Sequence, residues 1–66
     1  MYKLGIDVGG TNTDAVIINQ RREVVAEVKH PTTDDVYEGI LCAIREVLDI
    51  SGVDRKEIRQ TMLGTT

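Results

Sequence analysis

Residues 3–19 read KLGIDVGGTNTDAVIIN and carry the strongest structural signal in the chain. Apolar residues alternate with polar residues or glycine over Tyr2–Val8, which predicts a strand with one buried face. Gly9 and Gly10 mark a turn, and the β-branched run at Asp14–Asn19 predicts a second strand. Because a strand and not a helix follows the glycines, we expect this segment to form a β-hairpin.

Outside the hairpin, the polarity pattern predicts three further elements. A third strand is expected at Glu23–Lys29, after a polar turn without glycine. Thr32 or Thr33 is expected to cap an amphipathic helix of about five turns, which ends at Gly52. A fourth strand is expected over residues 58–66, and these elements together indicate an α/β fold.

The composition is that of a small globular protein with few means of stabilising itself alone. The chain has 66 residues, one cysteine and one histidine, so neither an internal disulfide nor a zinc cluster is available. A chain of this length buries only about 60% of its unfolded surface. We therefore expect it to associate with a second copy of itself or to belong to a larger protein.

Charge and hydropathy argue against several classes of partner. The net charge is −3, no basic patch stands out and the only aromatic residues are two tyrosines, so no nucleic-acid partner is expected. No apolar run reaches the length of a membrane span and no secretory signal is recognised, so no membrane partner is expected either. Together with the lone thiol, these features predict a cytoplasmic location.

Three kinds of phosphate-binding loop are candidates for the turn of the hairpin. The nucleoside-triphosphate P-loop requires Lys and Ser or Thr after its last glycine, and the dinucleotide fingerprint runs into a helix; neither pattern occurs here. The remaining kind is a nest, in which backbone N–H groups of a turn bind the phosphate. Gly9 and Gly10 suit it because glycine accepts positive φ and allows a close approach. Thr11, Asn12 and Thr13 can add side-chain donors.

Two carboxylates beside the loop explain how phosphate could bind next to negative charge. Asp7 lies at the end of the first strand and Asp14 at the start of the second. Magnesium keeps most of its waters and binds through one or two carboxylates together with phosphate oxygens. Asp7 is therefore expected to hold a magnesium ion, and Asp14 to do the same or to hydrogen-bond the loop. For the glycine pair alone, a purely structural turn is the competing interpretation.

The hairpin resembles, in GIDVGGTNTDAVI, the first phosphate motif of the superfamily of sugar kinases, actin and chaperone ATPases. Three stretches in this order, DVGGTNTD, KHPTTDDVYEGI and MLGTT, resemble the N-terminal region of the hydantoinase/oxoprolinase family within it. The resemblance covers the whole chain. Two features depart from the family pattern: Asn12 stands where Phe is frequent, and the turn NQRRE lacks the glycine often found there.

The resemblance implies a ribonuclease-H-like fold: an antiparallel three-strand meander, a crossover helix and a fourth strand beside the first. It implies that residues 1–66 are the N-terminal ATP-binding subdomain of a larger protein, with ATP and Mg²⁺ as cofactors. Enzymes of this family couple ATP hydrolysis to the opening of a cyclic amide, by phosphorylating the amide oxygen so that water attacks the carbonyl carbon. Thr65 and Thr66 would line the cleft of such an enzyme, unless they form a frayed terminus.

Catalysis is expected to need more than this chain. No catalytic base is identified in it, and one hairpin supplies only one side of a nucleotide, so the isolated chain is expected to be inactive. The loop is also compatible with a sugar or pantothenate kinase of the same superfamily. A third alternative is a non-enzymatic association module, which the broad apolar face of the helix would favour.

Three other features are expected to be ordinary surface groups. Cys42 lies on the polar arc of the helix, and a functional thiol is not expected there. His30 precedes a proline at a strand end and has no evident partner in the sequence. Arg45 and Asp49 are four residues apart on the helix and are expected to form a weak surface ion pair.

Overall fold

The computed structural model describes residues 1–65, and within them four strands form one sheet. The strand order is β3-β2-β1-β4; β1 pairs antiparallel with β2, β2 pairs antiparallel with β3, and β4 runs parallel to β1. This arrangement confirms the expected α/β, ribonuclease-H-like architecture of meander, crossover helix and fourth strand. The elements are β1 (Tyr2–Val8), β2 (Asn12–Ile18), β3 (Val24–Pro31), α1 (Val36–Ser51), a 3-10 turn (Arg55–Glu57) and β4 (Ile58–Thr65).

The core lies between α1 and one face of the sheet. Alternate residues of β1, β2 and β3 point toward the helix, as the period of two in their apolar residues requires. Ala43 and Val47 of the helix are fully buried against them. The opposite face of the sheet carries no helix within residues 1–65, so its side chains are open. The buried apolar residues are Leu4, Ile6, Val8, Ala15, Ile17, Ala26, Val28, Ala43, Val47 and Val53.

The helix ends as expected but begins later. Gly52 adopts a left-handed conformation, φ 73°, and its N–H donates to the Leu48 carbonyl at 3.0 Å. At the start, Asp35 is the N-cap and its side chain accepts from the Glu38 N–H. The prediction that Thr32 or Thr33 caps the helix is therefore wrong, because both hydroxyls donate elsewhere.

The surface pairs differ from those expected. His30 is not without a partner: its Nε2 lies 2.6 Å from Oε2 of Glu46 and joins β3 to α1. The Arg45–Asp49 pair is absent from residues 1–65, where His30–Glu46 is the only contact between a basic and an acidic side chain. Cys42 is free and exposed, as predicted. In the part of the chain that the structure describes, no helix is long and apolar enough to cross a membrane.

The turn between β2 and β3 contains an L-residue in a conformation that favours glycine. Arg22 has φ 63°, and its N–H donates to the Asn19 carbonyl at 3.0 Å. The Asn19 side chain also accepts from the N–H groups of Arg21 and Glu23, at 2.9 and 3.0 Å. These bonds keep the turn closed although it lacks a glycine.

Arg22→Gly is therefore expected to raise the free energy of unfolding by about 0.5–1 kcal/mol. A left-handed conformation costs an L-residue roughly 1–2 kcal/mol, and the freedom of glycine in the unfolded chain offsets part of that gain. Denaturant unfolding of the variant beside the unchanged chain measures the difference. Arg21→Gly is the control, since Arg21 is in the same turn without positive φ. An equal gain from both substitutions would contradict the explanation.

Candidate functional site

The glycine loop joins β1 to β2 in a hairpin, as predicted. Val8 pairs with Thr13 across the two strands, and beyond them the Gly9 N–H donates to the Asn12 carbonyl at 2.8 Å. Strand β2 begins at Asn12, two residues earlier than the apolar pattern indicates. The exposed tip of the loop is therefore reduced to Gly10 and Thr11.

The φ angles of the two loop glycines differ from those expected for a nest. Within residues 1–65, Gly52 is the only glycine with positive φ, so the expectation that Gly9 and Gly10 use positive φ is wrong. A Cβ built on Gly10 would meet no atom within 4 Å. The fold itself thus tolerates a side chain at Gly10. Without a side chain at Gly10, the backbone at the tip of the loop is open to close approach.

Thr32, the residue after β3, makes two hydrogen bonds to the loop. Its hydroxyl donates to the Gly9 carbonyl at 2.7 Å, and its N–H donates to the Thr11 carbonyl at 2.9 Å. Sequence reasoning missed this contact, because it spans 23 residues and no local pattern indicates it.

The three polar residues after the glycines occupy different surroundings. Thr11 is exposed, and the Asn12 side chain, half-buried, lies 3.4 Å from its hydroxyl. Thr13 faces the core with 1% of its surface exposed, and its hydroxyl lies 3.3 Å from that of Thr32. The Thr13 side chain thus supports the loop from inside. Ligand contacts from Thr11, Asn12 and Thr13 stay predictions, although the Thr13 hydroxyl, expected to be a ligand donor, lies buried beside Thr32.

The two carboxylates lie next to each other on the open face of the sheet. Asp7 and Asp14 are direct partners in the β1–β2 register. Asp7 is exposed, whereas Oδ1 of Asp14 is buried and has no hydrogen-bond partner within residues 1–65. Lys29 is opposite Asp14 on β3, yet no ion pair joins them there. A buried carboxylate oxygen without a partner is costly, so this position is suited to a bound cation.

Strand β4 leaves space beside these carboxylates. Gly64 pairs with Asp7 across the parallel strands, and a Cβ on Gly64 would lie 3.9 Å from Oδ1 of Asp7. The absence of a side chain keeps one flank of Asp7 accessible. Thr65 pairs with Val8 through the backbone. The carboxyl end of β4 therefore lies beside the carboxyl end of β1, from which the loop begins. Thr66 lies outside the described residues.

The described residues contain no group of three or more His, Cys, Asp or Glu side chains able to hold a metal ion. Asp7 and Asp14 are two neighbouring carboxylates, paired across β1 and β2. This number suits magnesium, which retains waters and shares its coordination with phosphate oxygens, better than a metal that needs a full protein cage.

This fold and hairpin define the class: the actin-like ATPase and sugar kinase superfamily. Component A of the (R)-2-hydroxyglutaryl-CoA dehydratase of Acidaminococcus fermentans is similar over 100% of this chain and 25% of its own, at 27% identity and TM-score 0.87. An activator of the 2-hydroxyisocaproyl-CoA dehydratase from Clostridium difficile with bound ADPNP is 22% identical, covers 98% of this chain and 24% of its own, and has TM-score 0.86. A ROK family glucokinase of Streptomyces griseus in complex with glucose and AMPPNP is 19% identical, at TM-score 0.82 over 98% of this chain and 20% of its own.

The particular family follows from the sequence. Residues 3–66 match the hydantoinase/oxoprolinase N-terminal region, and the chain belongs to that family. It spans a quarter or less of the length of the three solved structures. No curated protein matches the chain with significance.

Proposed function

We propose that this chain is the phosphate- and magnesium-binding part of an ATP-dependent hydantoinase/oxoprolinase-type enzyme that opens a cyclic amide. The observation that carries the proposal is the open loop at Gly10 next to the paired carboxylates Asp7 and Asp14, one of which has a buried, unpartnered oxygen. Membership of the family supports the class of reaction. Similar structures that hold ADPNP and AMPPNP support a nucleotide as the ligand.

Each part of the hairpin has a role in this proposal. The backbone N–H of Gly10 and its neighbours at the tip of the loop bind phosphate oxygens, while the Gly9 N–H closes the hairpin by donating to Asn12. The side chains of Thr11 and Asn12 add donors at the rim of the loop. Thr13 secures the loop from the core side. By the family resemblance, Thr65 and Thr66 would line the cleft that holds the same ligand.

The carboxylates fit a magnesium ion by number, charge and position. Asp7 and Asp14 would hold it on the open face, where Gly64 leaves room for its waters. When bound, magnesium offsets the negative charge of the phosphates. Without a cation, the two carboxylates oppose each other directly across the strands, and like charges in that position are destabilising. No residue of the described chain is assigned as the base that activates water.

The proposal is tested with the protein at its natural length. The purified protein is incubated with ATP, Mg²⁺ and either hydantoin or 5-oxoproline, and ring opening and ADP release are measured together. ATP-dependent opening of a ring supports the proposal. Phosphorylation of a sugar or of pantothenate, without ring opening, would replace it by the kinase alternative, which the likeness to a glucokinase favours. If the protein shows neither ring opening nor phosphorylation, the non-enzymatic association module is favoured.

The isolated 66-residue chain is expected to self-associate. Its helix covers one face of the sheet, while Val16 and Ile18 on the other face are only half-buried and Met62 is 45% exposed. Uncovered apolar surface of this kind normally marks an interface. Sedimentation across a concentration series measures association, and Met62→Lys should weaken it. A monodisperse monomer at high concentration would contradict the expectation, and the rest of a larger protein would then be the better explanation for the open face.

A further inference from the structure

Thr32 contacts the glycine loop through both its side chain and its backbone. Its hydroxyl donates to the Gly9 carbonyl at 2.7 Å, and its N–H donates to the Thr11 carbonyl at 2.9 Å. These two carbonyls lie on either side of Gly10. One residue therefore determines the orientation of the two peptide units that flank the tip of the loop, Gly9–Gly10 and Thr11–Asn12.

The planarity of the peptide bond extends this observation to the N–H groups. The described chain has no cis peptide bond, and in a trans peptide the C=O and the N–H point in opposite directions. The carbonyl of Gly9 shares its peptide with the N–H of Gly10, and the carbonyl of Thr11 shares its peptide with the N–H of Asn12. Because both carbonyls point toward Thr32, the N–H groups of Gly10 and Asn12 point away from it.

We propose that Thr32 is a positioning residue, which turns the backbone N–H groups of Gly10 and Asn12 toward an anionic ligand. The identity of that ligand as nucleotide phosphate rests on the proposed function. Backbone N–H groups presented together by a turn form a concave site for an anion. Carbonyl oxygens at the same place would repel it, and Thr32 holds two of them on the other side. Within residues 1–65 the N–H of Gly10 has no other partner and is available to a ligand.

The position of Thr32 is itself secured from two directions. On the core side, its hydroxyl lies 3.3 Å from that of the buried Thr13. On the helix side, the next residue, Thr33, donates to the carbonyl of Asp35, the N-cap of α1. The helix comes so close that a Cβ on Gly39 would lie 2.8 Å from Oγ1 of Thr33, so a side chain there would displace the Thr33 hydroxyl. Contacts of Thr32 and Thr33 thus connect the start of the helix to the glycine loop.

The test compares two substitutions of Thr32 in the protein at its natural length. Thr32→Val keeps the shape and the backbone N–H but removes the hydroxyl, whereas Thr32→Ser retains it. The dissociation constant of a non-hydrolysable ATP analogue is measured with Mg²⁺ present. Thr32→Val is expected to raise it about tenfold, the worth of one hydrogen bond to the loop, and Thr32→Ser by no more than about twofold. Thr61→Val, at an exposed threonine of β4, is the control and should have no effect.

A second measurement separates this inference from the proposed function. The amide resonance of Gly10 is followed by ¹⁵N NMR without nucleotide, and Thr32→Val should shift it while Thr32→Ser leaves it close to its original position. If the unchanged protein binds no nucleotide, the proposed function fails, and the Gly10 amide alone then decides whether Thr32 orients the loop. An unmoved Gly10 amide would overturn the inference. So would a Thr32→Val protein that melts at a lower temperature but binds the analogue normally, since that is the result of a purely structural threonine.

Discussion

In the protein at its natural length, Asp7→Asn is expected to lower the rate of ATP-dependent ring opening a hundredfold or more without lowering the melting temperature. Asn has nearly the same shape as Asp, and Asp7 is exposed, so packing changes little. The substitution removes half of the negative charge that would hold magnesium beside the phosphates. Losing electrostatic stabilisation of this kind costs on the order of 3 kcal/mol in a reaction barrier.

The expected effect of Asp7→Asn on stability has a definite sign. Asp7 and Asp14 are direct cross-strand neighbours, and two like charges in that position destabilise a sheet by roughly 0.2–1 kcal/mol. Neutralising one of them should leave the melting temperature unchanged or slightly higher when no cation is present. A purely structural Asp7 would give the opposite pattern, a lower melting temperature with normal turnover of the folded protein.

The experiment measures melting and ATP-coupled ring opening in parallel, with the magnesium concentration varied. Asp49→Asn is the matched control, because Asp49 is an exposed carboxylate of α1 with no ion pair within residues 1–65. It should leave both quantities unchanged. Full activity in a well-folded Asp7→Asn protein would remove Asp7 from the mechanism.

Much of the fold follows from local patterns. The alternation in β1 and the glycine pair predict the hairpin, and the left-handed Gly52 ends the helix where the pattern places it. These features depend on neighbours in sequence, and short-range rules describe them well. The start of the helix is different, because Thr33 bonds to the Asp35 carbonyl and leaves the cap to the Asp35 side chain. Several side chains in this stretch could cap a helix, and the long-range bond of Thr32 to Gly9 together with the local bond of Thr33 decides between them.

The candidate site is predicted less completely from sequence than the fold. The positions of Asp7 and Asp14 beside the loop follow from the motif, but the buried, unpartnered oxygen of Asp14 depends on the packing around β2. The role of Thr32 depends on a contact with Gly9 across 23 residues. Gly39 gives no local signal either, since only the position of Thr33 explains it. The Thr32 contact is long-range, and the features at Asp14 and Gly39 depend on how neighbouring segments pack.

Gly10→Val is expected to weaken nucleotide binding more than a hundredfold while the fold keeps its stability. The two halves of this prediction have separate causes. A Cβ at Gly10 meets no atom within 4 Å and φ there is not positive, so the protein without nucleotide accommodates the side chain without strain. The same open space is where phosphate would approach the backbone. An isopropyl group in it separates the phosphate from the N–H donors, and hydrogen bonds to a charged group contribute about 1.5–3 kcal/mol each. The loss of two such bonds exceeds the roughly 2.7 kcal/mol that correspond to a hundredfold change in affinity.

Gly39→Ala is the matched control for Gly10→Val, since the two glycines should respond in opposite ways. A Cβ on Gly39 would lie 2.8 Å from Oγ1 of Thr33, so even alanine requires the Thr33 hydroxyl to move and disturbs its bond to the Asp35 carbonyl. Overpacking of this kind costs about 1–3 kcal/mol, a large part of the stability of so small a domain. Calorimetry of both variants, together with titration of a non-hydrolysable ATP analogue, separates the two effects. Gly10→Val should melt like the unchanged protein and bind poorly, and Gly39→Ala should melt at a lower temperature. The valine side chain would occupy the space through which phosphate reaches the N–H groups of the loop. Normal binding of the analogue by Gly10→Val would therefore show that phosphate does not approach this loop.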